Sequence, residues 1–327
     1  MPETLTFHFE GALADSHRMN FYESARFQYA AARLMVKLAQ FRQGGKFVQK
    51  ITANSNFNIQ LTSQAAGSFN INVEDPGQDA AEDQFIKISL ADLIAYVSER
   101  IVEKIDETTL TNAPIASGDG PPADEETYSV AISALDQLVE DVMAGKSLTA
   151  GLPVPVQDLV KRRIAESHRE RRLIESKTAI SRIDFARGQK LIAMSAPLIS
   201  EMATALRKSA NTLEVRSSAH AQTRPVLFLD RKMAEEIETA IVDEDITPIL
   251  GDITQFNKDN GWGKLKIENG TKTISFSIPY DILPTMRQTL IDNMKRDLVY
   301  LQTYFVRDRT GEVIRLIAVG ILPTPST

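Results

Sequence analysis

The stretch Leu250–Ile278, LGDITQFNKDNGWGKLKIENGTKTISFSI, decides how the end of this chain folds. Ile274, Phe276 and Ile278 alternate with Ser275 and Ser277, the period of a strand with one buried face. Asn269-Gly270 supplies the dipeptide favoured in two-residue hairpin turns, whose central positions need φ > 0. Strands are therefore expected over Ile246–Phe256, Gly263–Glu268 and Thr271–Ile278, with Gly261 and Gly263 allowing φ > 0 or close backbone approach. Downstream, Leu283, Met286, Leu290 and Met294 recur at helical spacing within Asp281–Arg296. Leu298–Val306 and Val313–Leu322 then flank the turn Asp308–Gly311 as two more strands.

Working back from that stretch, Pro225–Leu229 is a short apolar run, and Asp230 is placed to cap a helix over Arg231–Val242. At the other end of the chain, Leu5, Phe7 and Phe9 alternate with polar residues as a strand. Phe21, Ala25, Tyr29, Ala32, Met35/Val36 and Ala39 mark the apolar face of a helix over Phe21–Arg42, closed by Gly44-Gly45. Phe57, Ile59 and Leu61, then Phe69, Ile71 and Val73, alternate around Gly67 as a hairpin, and Lys46–Thr52 is a further strand candidate. This β-α-β-β order gives an α+β N-terminal domain, which a helix over Ser89–Asp106 completes, with Ser89 and Asp92 as cap and first-turn acid.

Residues 107–126 are rich in Pro, Gly, Ser, Thr and acids and read as a flexible linker between domain 1–106 and a helical region, 127–210. That region holds a helix over Thr127–Ala144 and a long one over Val156–Ser209. In the latter an apolar stripe of Ile180, Ile183, Leu191, Met194, Leu198, Met202 and Ala205 is interrupted at Arg187, and Gly188 and Pro197 are its candidate break points. The stripe serves packing within the chain or pairing with a second copy.

The chain of 327 residues is long enough for several cores, and its net charge of −6 argues against a protein coated for nucleic acid. The charge is unevenly placed: residues 1–150 carry 11 Lys+Arg against 21 Asp+Glu, and residues 151–210 carry 12 against 6. Absence of cysteine excludes disulfides, thiolate metal sites and a cysteine nucleophile and fits a reducing cytoplasm. No signal peptide and no apolar run of membrane-spanning length is evident, so a cytoplasmic protein without membrane attachment is the expectation.

Three strands, a helix and two strands is the element order of an OB-fold. Gly251-Asp-Ile-Thr-Gln-Phe-Asn257, then Gly261-Trp-Gly263, an Asn-Gly turn and Ile274-Ser-Phe276, resembles the cold-shock domain pattern. That pattern is Gly-x-Val-Lys-x-Phe-Asn, a Gly-aromatic-Gly-aromatic motif, and a strand rich in Phe and His. The resemblance covers about thirty residues and implies an OB-like barrel over 225–327. It also implies single-strand binding by aromatic stacking, each base contributing about 1–3 kcal/mol. The carry-over is partial: Thr254 replaces the lysine, Gln255 the first-strand aromatic, Lys264 the second aromatic of the glycine motif, and Ser275 and Ser277 the Phe and His. Trp262 is either the one stacking platform kept or a residue packed within its own domain. The N-terminal FHFEGALADSHRMNFYESARFQYAAARL resembles uncharacterised bacterial proteins and implies no activity.

Candidate nucleic-acid contacts are Trp262 with Lys258, Lys264, Lys266 and Lys272, and the basic cluster Lys161, Arg162, Arg163, Arg169, Arg171 and Arg172. The cluster equally fits a helix face paired with Glu166, Glu170 and Glu175, or a surface that docks on the acidic N-terminal domain of a neighbour. Asp15-Ser16-His17 is no triad, because triad members are assembled by the fold and not by adjacency. His8 and His220 have no partner at metal-ligand spacing, and Asp243, Glu244 and Asp245 point in different directions; no metal, cofactor or catalytic residue is expected.

The expected protein is thus an α+β multidomain, non-catalytic binding or adaptor module. It is read as contacting single-stranded or duplex nucleic acid weakly, through the backbone. The alternatives are a homo-oligomeric scaffold or accessory subunit of an effector complex, such as a bacterial defence system, and an enzyme of unrecognised type.

Overall fold

A computed structural model describes residues 3–48, 50–52, 57, 59–62, 69–75, 84–105, 125–144, 153–219, 222–239, 241–243, 245–267, 272–295, 298–308 and 310–322. The hairpin turns at Gly67 and Asn269-Gly270, His220, Glu244 and most of the expected linker, 107–124, lie outside the described residues.

The described residues form a mixed α+β structure with two sheets. In the first, strand β1 (Glu3–Glu10) is central, in the order β2 (Gln60–Thr62), β3 (Phe69–Asp75), β1, β4 (Thr212–Ala219), β5 (Gln222–Asp230). All its pairings are antiparallel, with Phe7 opposite both Ile71 and Val215. Leu5, Phe7 and Phe9 are buried, and helix α1 (Phe21–Gly44) covers them through Phe27, whose ring meets Phe7 at 5.3 Å and Phe9 at 4.9 Å, edge to face. Two expectations are corrected here. No strand forms in the described part of 46–52. The polar stretch before Pro225 is β4, and the run Pro225–Leu229 belongs to β5 in this first sheet beside it, because Leu213 and Val215 supply the buried face that β1 requires.

Helix α2 (Leu90–Ile101) starts on the expected capping box of Ser89 and Asp92. Helix α3 (Glu125–Met143) precedes α4 (Val154–Glu175), the short α5 (Lys177–Ile180) and α6 (Phe185–Ala203). The break in this region falls before Asp184, which caps α6 by accepting from Arg187 N at 2.9 Å, rather than at Arg187, Gly188 or Pro197. Helix α7 (Arg231–Thr239) follows β5, capped by Asp230 as expected.

In the C-terminal region β7 (Thr247–Phe256), β8 (Trp262–Ile267), β9 (Thr273–Ser277), β10 (Val299–Arg307) and β11 (Val313–Leu322) close a five-stranded barrel in the cyclic order β7-β8-β9-β11-β10. The β9–β11 pair is parallel, helix α8 (Leu283–Asn293) joins β9 to β10, and β6 (Ile241–Val242) extends β10. This order is compatible with an OB-like barrel. Ile253, Leu265, Ile274, Phe276, Leu301 and Leu316 fill it. Gly261 takes φ +76, and Gly263 lets a neighbour in: a Cβ there would stand 2.4 Å from the Phe276 ring.

Gly263→Ala is therefore expected to cost roughly 1–3 kcal/mol by overpacking the barrel, read from urea unfolding. An unchanged midpoint would mean that the ring and strand move apart without cost.

Candidate functional site

The basic cluster of α4 lies mostly against acids of the same chain. Lys161 pairs with Glu10. Arg162 donates to the Glu103 carbonyl at 2.7 Å, Arg163 to Asp136 at 3.0 Å and Glu170 at 3.4 Å, and Arg169 to Glu99 at 2.7 Å. Arg172 reaches Asp92 and Ser217, both at 3.0 Å. Arg162 and Arg169 are buried, so in this arrangement they cannot serve as the phosphate contacts expected of them; Arg171 and Glu175 face solvent. The acids that hold the cluster include the expected Glu166 and Glu170, but also acids of the N-terminal region of the same chain.

The centre of this network is Glu99, on the last turn of α2. Its carboxylate accepts from Arg169 at 2.7 Å, Lys104 at 2.9 Å and the backbone N–H of Tyr280 at 3.1 Å. Lys104 also donates to the carbonyls of Asn260, at 2.5 Å, and Ile278, at 3.0 Å. Next to it Arg100 pairs with Asp281 at 2.7 Å and lies 3.7 Å from the centre of the Tyr96 ring, and Arg315 donates to the Ile101 carbonyl. One turn of helix thus ties α4 and the barrel together. Burial pushes the Glu99 carboxyl up, but Lys104 and Arg169 outweigh it and hold it at about 2. For Glu170 burial wins over Arg163 and Lys104, and the group is pushed up to about 7.

None of Glu99, Arg100, Lys104, Asp281 and Arg315 stood out as a site in the sequence. The one available signal was Glu99-Arg100 inside an otherwise apolar helix.

On the barrel, Leu265 points inward and Gly263 abuts Phe276, so Trp262 and Lys264 alternate onto the outer face. Trp262 is nevertheless only 3% exposed, which fits the second of its two expected readings, a packed residue, rather than an open stacking platform. It stands beside the Asn260 and Ile278 carbonyls on which Lys104 docks. Lys264 lies 5.5 Å from the centre of the Trp262 ring, Lys272 pairs with Glu312, and Lys258 and Lys266 are exposed. His8 is bound by Asn70 and Glu10, Asp15 accepts from Gly11 N at 2.7 Å, and Asp243 pairs with Arg307 at 3.0 Å. Among the described residues no group of three or more His, Asp or Glu side chains is set to hold a metal ion, and no helix is long and apolar enough to cross a membrane.

Helix α1 presents the largest departure from the expected packing. Its buried face is Phe27, Ala30, Ala31, Leu34, Met35, Leu38 and Phe41, while Phe21, Ala25, Tyr29 and Ala32, expected to face the sheet, are turned outward. Phe21 is 89% exposed, Tyr22 67% and Tyr29 61%. The row runs into a groove of about 710 Å³ between α1 and the β2–β3 side of the first sheet, walled by Ala32, Val36, Phe57 and Ile59, with Leu61 at its rim, 63% exposed. Comparison with protein-family models, curated proteins and solved structures finds no match to this chain.

Truncating Glu99 to Ala leaves Arg169 and Lys104 buried without their carboxylate and is expected to cost roughly 3–5 kcal/mol. The pH dependence has two signs. Glu99 and Glu10 (held at about 2, first by the His8 hydrogen bond and then by Lys161) favour the folded state above their ordinary value of 4.5. Their contributions are lost as pH falls from 4.5 towards 2. Glu170, raised, instead costs stability as pH climbs from 4.5 through about 7. Unfolding midpoints across pH test both, and Glu170→Gln should flatten only the upper side.

Proposed function

We propose that this chain is a non-catalytic assembly protein that works through protein contacts made by the exposed face of α1. The supporting observation is the aromatic row Phe21, Tyr22 and Tyr29 continuous with the apolar groove rimmed by Leu61. A soluble chain seldom leaves several large apolar side chains contiguous in water unless a partner covers them. The barrel is read here as OB-like, and on the β8–β9 face that takes ligands in such barrels the one aromatic, Trp262, is covered by residues of this same chain, which supports a structural role for that end of the face. The basic helix likewise spends most of its charge on internal acids.

The test is the mass in solution of the wild-type chain and of Phe21→Ser/Tyr29→Ser, by light scattering on protein purified from its native host. Wild type should run above the 36.3 kDa of one chain and the variant as a monomer with unchanged helix content by circular dichroism. Two monomers, with nothing retained by either, would contradict the proposal.

A second reading, backbone-directed nucleic-acid contact, is favoured by the exposed Lys258 and Lys266 flanking Lys264 on one hairpin. It requires single-strand binding that weakens steeply with salt and is lost in Lys264→Glu/Lys266→Glu. Absence of binding at low salt would remove it.

A further inference from the structure

Resting on the protein-contact reading, we infer that the partner of α1 is a second copy of this chain. The two α1 helices would run antiparallel across a two-fold axis, with Phe21 and Tyr22 of each copy seated in the groove of the other. The reason is that projection and groove lie on one face of one helix. Phe21 and Tyr22 project at its N-terminal end, and the groove opens beside Ala32 and Val36, about 16 Å further along at ~1.5 Å per residue. A two-fold interface is self-complementary: if residue i meets residue j, then j meets i. Setting Phe21 against Ala32 of the other copy also sets Ala25 against Gln28, and both pairs centre on the same point, between Arg26 and Phe27. Ala25, Gln28 and Ala32 are exposed and two of them are small, which lets the axes approach to about 8 Å at the centre of the contact.

The area suffices. A large aromatic side chain buries about 150–250 Å². At the exposures of Phe21, Tyr22, Tyr29 and Leu61, these four offer roughly 500–600 Å² per copy. Two copies then give about 1,100 Å², and the alanines, Gln28 and the groove walls carry the sum into the range of about 1,200–2,000 Å² typical of specific interfaces. Charge does not oppose the contact. Glu23 is buried on Ser209, Arg26 is engaged by Glu201 at 3.2 Å, and Arg33 lies over the Tyr29 ring at 5.3 Å, so none of these charges is left without a partner by the pairing. A foreign partner would need only the projection or only the groove; a second copy uses both.

The chain has no cysteine, so engineered pairs report contacts cleanly. Ala25→Cys/Gln28→Cys, oxidised mildly, should yield a disulfide-linked species of twice the chain mass, as should an equimolar mixture of the two single variants. Ala32→Cys alone should not cross-link, because its like positions stand about 16 Å apart along the antiparallel pair, beyond the reach of a disulfide. Phe21→Ala should weaken the dimer by about tenfold or more with helix content unchanged by circular dichroism, and Tyr29→Glu, on the same exposed row, serves as the independent second variant. Rapid cross-linking of Ala32→Cys alone would mean a parallel contact and overturn the inference. So would a wild-type chain that is monomeric at every concentration. If that monomer releases a co-purified protein on Phe21→Ser/Tyr29→Ser, the protein-contact reading survives and self-pairing fails; if nothing changes, both fail.

Discussion

The buried carboxylate of Glu99 is the constraint on which the two halves of this molecule meet. It sits at the end of α2 and takes donors from α4, from Lys104 and from the backbone of the barrel at Tyr280. Two cations and a carboxylate out of water are costly unless each finds its partners, and here Lys104 finds further ones in the Asn260 and Ile278 carbonyls. The barrel cannot rotate or withdraw without leaving charge unpaired, which specifies its seat more sharply than apolar packing would. Tyr304, Val306 and Ile317 of the barrel then complete the core of the first sheet and its helices.

The same network accounts for the uneven charge along the sequence. The acidic N-terminal part and the basic segment 151–210 are two sides of internal contacts: Glu10 to Lys161, Asp92 to Arg172, Glu99 to Arg169. A cluster that looks like a phosphate stripe in one dimension is largely neutralised in three. The aromatic row of α1 is left facing water as a group, and that contrast moves the functional reading from charge to surface shape.

The barrel was legible because its determinants are local: the alternation through Ile274, Phe276 and Ile278, the glycines at 261 and 263, and the capping pattern elsewhere at Ser89 and Asp92 each act within a few residues. Strand β4 was not, since Leu213 and Val215 gain their meaning only from pairing with β1, some two hundred positions earlier. Helix α1 carries apolar residues on two faces, so periodicity alone could not say which turns inward; Phe27 locked between Phe7 and Phe9 decides it. Glu99 was illegible for the opposite reason: a charge in a helix is ordinarily solvated, and only the approach of α4 and the barrel makes it a core residue. Arg162 and Arg169 were misplaced in the same way, as surface residues that the tertiary structure covers.

The central claim is that internal pairing neutralises most of the basic cluster on α4 and leaves the α1 row as the face that meets a partner. Amide hydrogen exchange, followed at low and high protein concentration and with added single-stranded nucleic acid, addresses it most directly. The account predicts that exchange slows with concentration along residues 21–36 and beside Leu61, and that nucleic acid leaves residues 161–172 and 258–266 unchanged. Concentration-independent exchange in α1, together with slowing at 258–266 on adding nucleic acid, would contradict it.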